Sequence, residues 1–316
     1  MIKNKKIFIT GGAGFIANKI IEKIIDKNKV VVYDNFSRDT LSNTKLKNHK
    51  NLKIIKGDIL NYTKLANSMK KSDIVIHAAA IAGIDTVIKN PVLTMKVNMI
   101  GTGNVLEAAK SNNIKNKFIE FSTSEIFGNY AYKSNEESNA VSASAGEARW
   151  SYAVSKLAGE HLAAAYFKQF KLPTVSVRPF NIYGPGQTGE GAMIHFIKQA
   201  LNHETINIYG DGNQIRSWCY VDDFVDCLIK IIENKECIGE SFNIGNSRAI
   251  VTIYGLAQII CRVLNSKSKI KFKKPLSADV ELRIPSVEKI EKKLNFKAKI
   301  NLDEGIYKTA NWIKNN

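Results

Sequence analysis

Short apolar runs alternate with amphipathic stretches along the first part of the chain. The runs at Lys6–Thr10, Val30–Asp34, Leu52–Lys56, Ile74–His77, Phe118–Ser122 and Val175–Arg178 predict strands. Helical spacing between them predicts helices over Asn18–Asp26, Val92–Lys110 and Tyr152–Lys168. Strands that alternate with helices imply an α/β fold with a parallel sheet covered on both faces. After Pro179 the pattern is less regular. Short strands at Ile206–Tyr209 and Ser241–Ile244 mix with helices near Ala192–Leu201, Val221–Ile232 and Tyr254–Leu264. The expected division is a first domain over 1–178 and a smaller C-terminal α/β lobe over 179–316 that binds substrate. A stretch at about 218–248 is expected to return to the first domain.

Composition narrows the class. The 316 residues are 44% hydrophobic and 24% charged, an ordinary globular balance. No apolar run approaches the ~20 residues a bilayer span needs, so no membrane association is expected. The start, Met1-Ile2-Lys3-Asn4-Lys5-Lys6, leads straight into a strand-like run, and no cleavable signal is expected. Cys219, Cys227, Cys237 and Cys261 contain no C-x-x-C pair and make no disulfide framework in a chain this long. A cytoplasmic protein without a metal site is the expectation. The net charge of +17 comes from 46 basic residues, of which only seven are Arg. The lysines are scattered through a background rich in Asn and Ile, without the clustering or aromatic interleaving of a nucleic-acid surface. No nucleic-acid partner is expected, although a basic protein attracts small anions.

The strongest local signal is Ile7-Phe8-Ile9-Thr10-Gly11-Gly12-Ala13-Gly14-Phe15-Ile16-Ala17. A strand ends, a glycine-rich turn follows, and a helix opens. Small residues at Gly11 and Gly14 let the backbone approach a pyrophosphate, and the helix start at Phe15 and Ile16 offers free N–H groups. Asp34 ends the next strand, 20 residues after Gly14, where a carboxylate accepts from an adenosine ribose. An acid there repels a 2′-phosphate and favours NAD over NADP, a reading that Arg38 nearby slightly weakens. A tight strand–helix turn and a plain turn acid are the bland alternatives. Asp58 follows the third strand, within reach of an adenine amino group. His77 stands alone among apolar neighbours and reads as a packed, hydrogen-bonded residue.

Tyr152 and Lys156 are four apart and share one helix face. A phenol is a poor base near neutrality, but a neighbouring ammonium favours its phenolate. Such a phenolate can take a hydroxyl proton while hydride leaves the adjacent carbon. Ser122-Thr123-Ser124-Glu125 closes a strand with three hydroxyls and a carboxylate, either a plain turn or a set that binds the reacting oxygen.

Together these segments resemble the extended short-chain dehydrogenase/reductase family, in its group of nucleotide-sugar epimerases, dehydratases and decarboxylases. The resemblance covers nearly the whole chain. It runs through Thr10–Ala17, Asp34-Asn35, Gly57-Asp58, His77–Ala80, Val97–Thr102, Ser122–Gly128, Tyr152–Lys156, Arg178–Pro185, Tyr209–Gly212 and Arg216–Asp223. One departure is Ala17, where the family usually has a third glycine. The resemblance implies a Rossmann-type doubly wound parallel sheet and NAD as cofactor. It places Gly11, Gly14, Phe15, Ile16, Asp34, Asn35, Asp58, Ile59, Ala78, Ala80, Asn98 and Lys156 at the cofactor. It makes Tyr152 the base, Lys156 its partner and Thr123 the contact to the sugar C4 hydroxyl. Ser124, Glu125, Arg149, Asn181, Tyr209, Arg216 and Arg283 are expected at the substrate. For Arg216 and Arg283 a surface salt bridge is the alternative. A homodimer or tetramer is also implied.

All members of that group begin by oxidising the sugar, usually at C4. Dehydratases look for Thr-Asp-Glu, and Ser124 in place of the Asp disfavours dehydration. The least demanding expectation is a C4 dehydrogenase or 4-epimerase acting on a nucleotide-activated hexose or heptose, in surface polysaccharide precursor synthesis. The alternative is a nucleotide-uronic acid oxidative decarboxylase. Thr123-Ser124-Glu125 and Arg149-Trp150-Ser151-Tyr152 are similar to that class; Arg149 then binds a sugar carboxylate, with a loop–phosphate contact or a plain surface residue as equal alternatives. The loop from Asn129 to Glu147 lies between the two catalytic segments and is expected to cover the sugar.

Overall fold

A computed structural model describes residues 2–141, 144–189, 191–275 and 279–316. Seven parallel strands form its central sheet. In space they run Ser241–Ile244, Thr174–Pro179, Lys117–Phe121, Ile74–His77, Lys6–Thr10, Lys29–Asp34 and Leu52–Lys56. The central strands are continuous apolar runs because helices cover both faces. Successive side chains point to opposite faces. Ile7, Ile9, Val30, Val32 and Ile76 therefore join one core, with Ile20, Ile21, Phe224 and Leu228 from helices Phe15–Ile24 and Val221–Glu233. Phe8, Val31, Tyr33, Val75 and Phe118 join the other, with Leu65, Met69, Val105 and Ala163.

The strand order turns at Lys6–Thr10, whose two neighbours are Lys29–Asp34 and Ile74–His77. Ligands bind in the crevice outside the carboxyl ends of strands at such a switch point. Thr10 and His77 stand side by side there, and Lys117–Phe121 ends next to them.

The stretch read as one helix over Val92–Lys110 is three pieces. Pro91–Met95 is α-helical, Lys96–Gly101 widens into π turns, and Thr102–Ser111 resumes the α-helix. The wide segment brings Gly101 against Ile59. A Cβ there would lie 2.4 Å from the Ile59 side chain.

The C-terminal lobe carries a four-stranded sheet in the order Ile250–Thr252, Ile215–Ser217, Leu282–Pro285 and Tyr130–Ser134. The register of its two middle strands sets Arg216 directly beside Arg283. Like charges on neighbouring strands destabilise a sheet unless counter-charges meet them. Helices Ala192–Leu201, Ile253–Val263 and Leu302–Lys314 pack together behind this lobe. Among the described residues, no helix is long and apolar enough to cross a membrane.

Candidate active site

Strand Lys117–Phe121 ends at Ser122, and Thr123 caps the short turn that follows by accepting from the Glu125 N–H at 3.2 Å. Helix Ser151–Phe170 begins beside it and presents Tyr152 and Lys156. Tyr152 lies near enough to Thr123 for its hydroxyl to favour the phenolate. Burial raises the pKa of Tyr152, and the Glu125 and Glu120 charges add to that. The Thr123 hydroxyl and Arg283 work the other way. The phenol therefore holds its proton tightly, and further positive charge is needed to make it a base.

Lys156 is buried, and its Nζ lies 2.9 Å from Oε1 of Glu120, which is itself fully buried. Burial pushes the Glu120 carboxyl up to about 7, against the pull of Lys156. Glu120 escaped the sequence reading. Its signal is a lone carboxylate inside the apolar strand Phe118-Ile119-Glu120-Phe121.

His77 is also fully buried. Thr102 donates to the Asn98 carbonyl at 2.7 Å, so its oxygen accepts from His77 Nε2 at 2.9 Å. Nδ1 then accepts from Thr10 at 2.7 Å. Burial, then the Lys156 charge, hold this imidazole neutral.

Gly11 has φ of +68°, and a Cβ there would lie 2.5 Å from the Ala79 backbone nitrogen. Gly14 begins helix Phe15–Ile24 without a side-chain cap, which leaves the first-turn N–H groups to a ligand. Asp34 is tied to the same turn. It accepts from the Ala13 N–H at 2.9 Å and from the Phe36 N–H at 2.7 Å. An uncapped helix start beside a fixed carboxylate fits the diphosphate and ribose of a dinucleotide. Asn35 accepts from the Ser37 N–H, and Arg38 donates to Thr86. Asp58 is exposed and accepts from the Leu60 N–H, and Ile59 is buried under Gly101. Ala78 is half-buried and Ala80 exposed. The Asn98 side chain is fully engaged within the protein. It holds the Ile81 N–H and carbonyl and donates to Ser155. Asn98 thus ties the loop after Ile74–His77 to the Tyr152 helix.

The substrate candidates divide. Glu125, Arg149, Arg216 and Arg283 come together. Arg149 donates twice to Glu125, at 2.6 and 3.3 Å, and Arg283 donates to Glu125 at 3.4 Å. Arg216 pairs with Asp279 at 3.3 Å and donates to the Val280 carbonyl. The Arg283 and Arg149 guanidiniums hold the Glu125 carboxyl below its usual range despite its burial. Burial and Arg283 push Arg216 down to about 10, and burial and Arg149 lower Arg283. Arg283 keeps Nε and Nη2 buried without a partner, and so does Nε of Arg149. Three guanidiniums against two carboxylates leave excess positive charge, and an incoming anion relieves it. Ser124 is buried beside this cluster in sequence. Asn181 donates to the Ser217 carbonyl at 2.8 Å. Tyr209 is exposed, and no described contact joins its side chain to the cluster.

The loop 129–147 is anchored to the fold. Tyr130–Ser134 pairs with the strand that carries Arg283, and Glu136 accepts from the Asn243 N–H at 2.8 Å. Residues 142 and 143, which the expected sugar cover included, lie outside the described residues. Among the described residues no group of His, Cys, Asp and Glu is arranged to hold a metal ion.

The chain matches the model of the NAD dependent epimerase/dehydratase family over residues 7–245. It is 33% identical over 324 residues to a UDP-N-acetyl-alpha-D-glucosaminuronate decarboxylase of Bacillus cytotoxicus, covering 98% of each chain. It is 30% identical to a UDP-glucuronate 4-epimerase of Thermodesulfobacterium geofontis, covering 98% of this chain and 96% of the relative. A solved UDP-glucuronic acid 4-epimerase from Bacillus cereus, in complex with UDP-glucuronic acid and NAD, superposes with a TM-score of 0.90. The two are 30% identical, with 98% of this chain and 99% of that one covered.

Proposed function

The chain belongs to the NAD dependent epimerase/dehydratase family and its cofactor is NAD, and from that premise we propose that it oxidises a UDP-linked uronic acid at C4 and releases the carboxylate as carbon dioxide. The observation that carries this is the cluster of Glu125, Arg149 and Arg283 beside Tyr152, with guanidinium N–H groups buried and unpartnered. A neutral hexose brings no charge to meet them at the sugar end. A uronate brings a carboxylate, and Arg–carboxylate contacts are strong and directional.

The chemistry follows from the residues. Tyr152 accepts the C4 hydroxyl proton, and Thr123 holds the reacting oxygen in line. NAD supplies the acceptor for the C4 hydride. The resulting ketone lies β to the carboxylate. The C5–C6 bond can then break, with its electron pair drawn onto the C4 oxygen. Glu125 holds Arg149 and Arg283 in place to receive that carboxylate and release it as a neutral molecule. A proton from water restores C5, Tyr152 gives its proton back to the C4 oxygen, and the hydride returns to C4 from bound reduced NAD. The sequence is redox-neutral overall.

Relatives that epimerise UDP-glucuronate at C4 support a second outcome of the same oxidation, in which the carboxylate is retained. Product mass separates the two. With UDP-glucuronic acid or its N-acetylated amino counterpart, the expected product is lighter by one carbon dioxide. Glu125→Gln or Arg149→Ala should stop that release by at least roughly 10-fold, the order expected for a lost charge-assisted contact. A product of unchanged mass would establish the 4-epimerase instead.

NAD should bind more tightly than NADP, because Asp34 faces the position of a 2′-phosphate. Asp34→Asn should narrow that preference by roughly 10-fold, the size of one charge–charge contact. Calorimetry with both cofactors measures it, and an unchanged ratio would count against the role of Asp34.

A further inference from the structure

Glu120 lies under the catalytic helix, in the middle of the central sheet, with no access to solvent. Its Oε1 takes the Lys156 ammonium at 2.9 Å, and its Oε2 has no partner. The contact is built from several elements. Gly159, one turn beyond Lys156, leaves the room: a Cβ there would lie 3.4 Å from Glu120 Oε1 and 3.3 Å from the Thr102 methyl. His77 is directly opposite Glu120 on the neighbouring strand, and its imidazole is neutral. On the other neighbouring strand, Arg178 lies within electrostatic range of Glu120 but is committed to Glu160, with contacts of 2.6 and 3.1 Å. Glu160, from the Tyr152 helix, adds a second negative charge nearby. Lys156 is therefore the cation that meets Glu120 directly, and Glu120 the anion that meets Lys156.

We propose that Glu120 is a positioning residue for the reaction: acting through Lys156 and through its own charge, it sets how readily Tyr152 loses its proton. The proposal rests on the reading of Tyr152 as the base. The ion pair fixes the lysine head group from below and takes up part of its field. A lysine neutralised in this way does less to stabilise the phenolate, and the buried carboxylate also opposes phenolate formation directly. The same pair gives the buried ammonium a counter-charge in a dry site. Glu120 thus trades the strength of the base for a lysine that is held in place.

The test reads the ionisation of Tyr152 without turnover, so its outcome does not depend on which sugar is the substrate. Ultraviolet difference titration of the protein against Tyr152→Phe isolates the Tyr152 phenolate. The same difference is taken in Glu120→Gln, which keeps shape and hydrogen bonding but removes the charge. The expected result is a midpoint lower by about one pH unit in Glu120→Gln, a tenfold change in the ionisation constant. Glu120→Asp, which keeps the charge, should stay near the unsubstituted protein. An equal midpoint in all three would overturn the proposal, because a merely structural role predicts no shift. If Glu120→Gln does not fold, carbon-13 NMR of glutamate-labelled protein reads the same coupling. One carboxyl should titrate near neutrality and move upward in Lys156→Met. A spectrum without such a carboxyl would overturn the proposal as well. Failure of the sugar oxidation with the titration intact would instead count against the reading of the substrate.

Discussion

Tyr152→Phe is expected to lower turnover on the proposed uronate substrate by ~10²-fold or more while NAD still binds. The substitution removes one oxygen and leaves the ring to fill the same space. Nothing described near Tyr152 replaces it as a base. Glu125 is held charged and acceptor-only by Arg149 and Arg283. His77 is sealed beneath the sheet end between Thr10 and Thr102. Thr123 is an alcohol with no described partner to deprotonate it. The proposed cofactor site is the turn around Gly11 and Gly14 with Asp34, which the change does not touch. Thr123→Ala should cost less, since one hydrogen bond is lost and the base remains. Steady-state rates and NAD titration on the two variants separate these effects. Full activity in Tyr152→Phe would remove the basis of the mechanism.

Lys156→Met should destabilise the fold by about 3–5 kcal/mol above neutral pH, because it strands the buried Glu120 charge. The penalty carries its own pH dependence. Burial raises the Glu120 carboxyl even with Lys156 present, to about 7, and without Lys156 it rises further. A raised carboxyl means that the folded state binds this proton more tightly than the unfolded chain does. That contribution to stability is fully present below the unfolded value of about 4.3 and is lost as pH rises through the raised folded value. The gap between Lys156→Met and the unsubstituted protein should thus be small at about pH 5 and widest above about pH 8. Glu120→Gln placed on top of Lys156→Met should close most of the gap at the higher pH, since no charge is then left stranded. Urea unfolding of the three proteins at both pH values checks this. A gap that does not change with pH would show that the amine matters for packing alone.

The parts of this protein that were legible in its sequence are those written contiguously. The glycine turn, Asp34 at the end of the next strand, and Tyr152 four residues before Lys156 each lie within one local stretch. The six strands read from the first part of the chain recur within one residue at either end, because a sheet buried on both faces demands unbroken apolar runs. Boundaries failed where a backbone device overrode periodicity. Helix Phe15–Ile24 starts three residues earlier than the apolar spacing implied, at a glycine that caps without a side chain. The π turns at Lys96–Gly101 keep helical composition and change only the winding. Tyr62–Met69 was not read as a helix, having eight residues and little apolar content.

The counter-charges of the site were not legible either, since pairing across the fold leaves no local trace. Arg149, Arg216 and Arg283 were singled out as anion-binding residues, but their register beside Glu125 and Asp279 exists only in the folded lobe. Glu120 and Lys156 are 36 residues apart and meet because a strand and the helix over it carry them. A lone acid in an apolar strand is the trace such a pair leaves.

The central claim is that a C4 hydride leaves the sugar while Tyr152 takes the hydroxyl proton. The most direct measurement uses UDP-glucuronic acid, or its N-acetylated amino counterpart, deuterated at C4, with mass spectrometry of the nicotinamide recovered from quenched single-turnover mixtures. The account predicts deuterium on the nicotinamide ring in the unsubstituted protein, and its near absence over the same interval in Tyr152→Phe. Turnover of the sugar with no deuterium ever reaching the nicotinamide would contradict it.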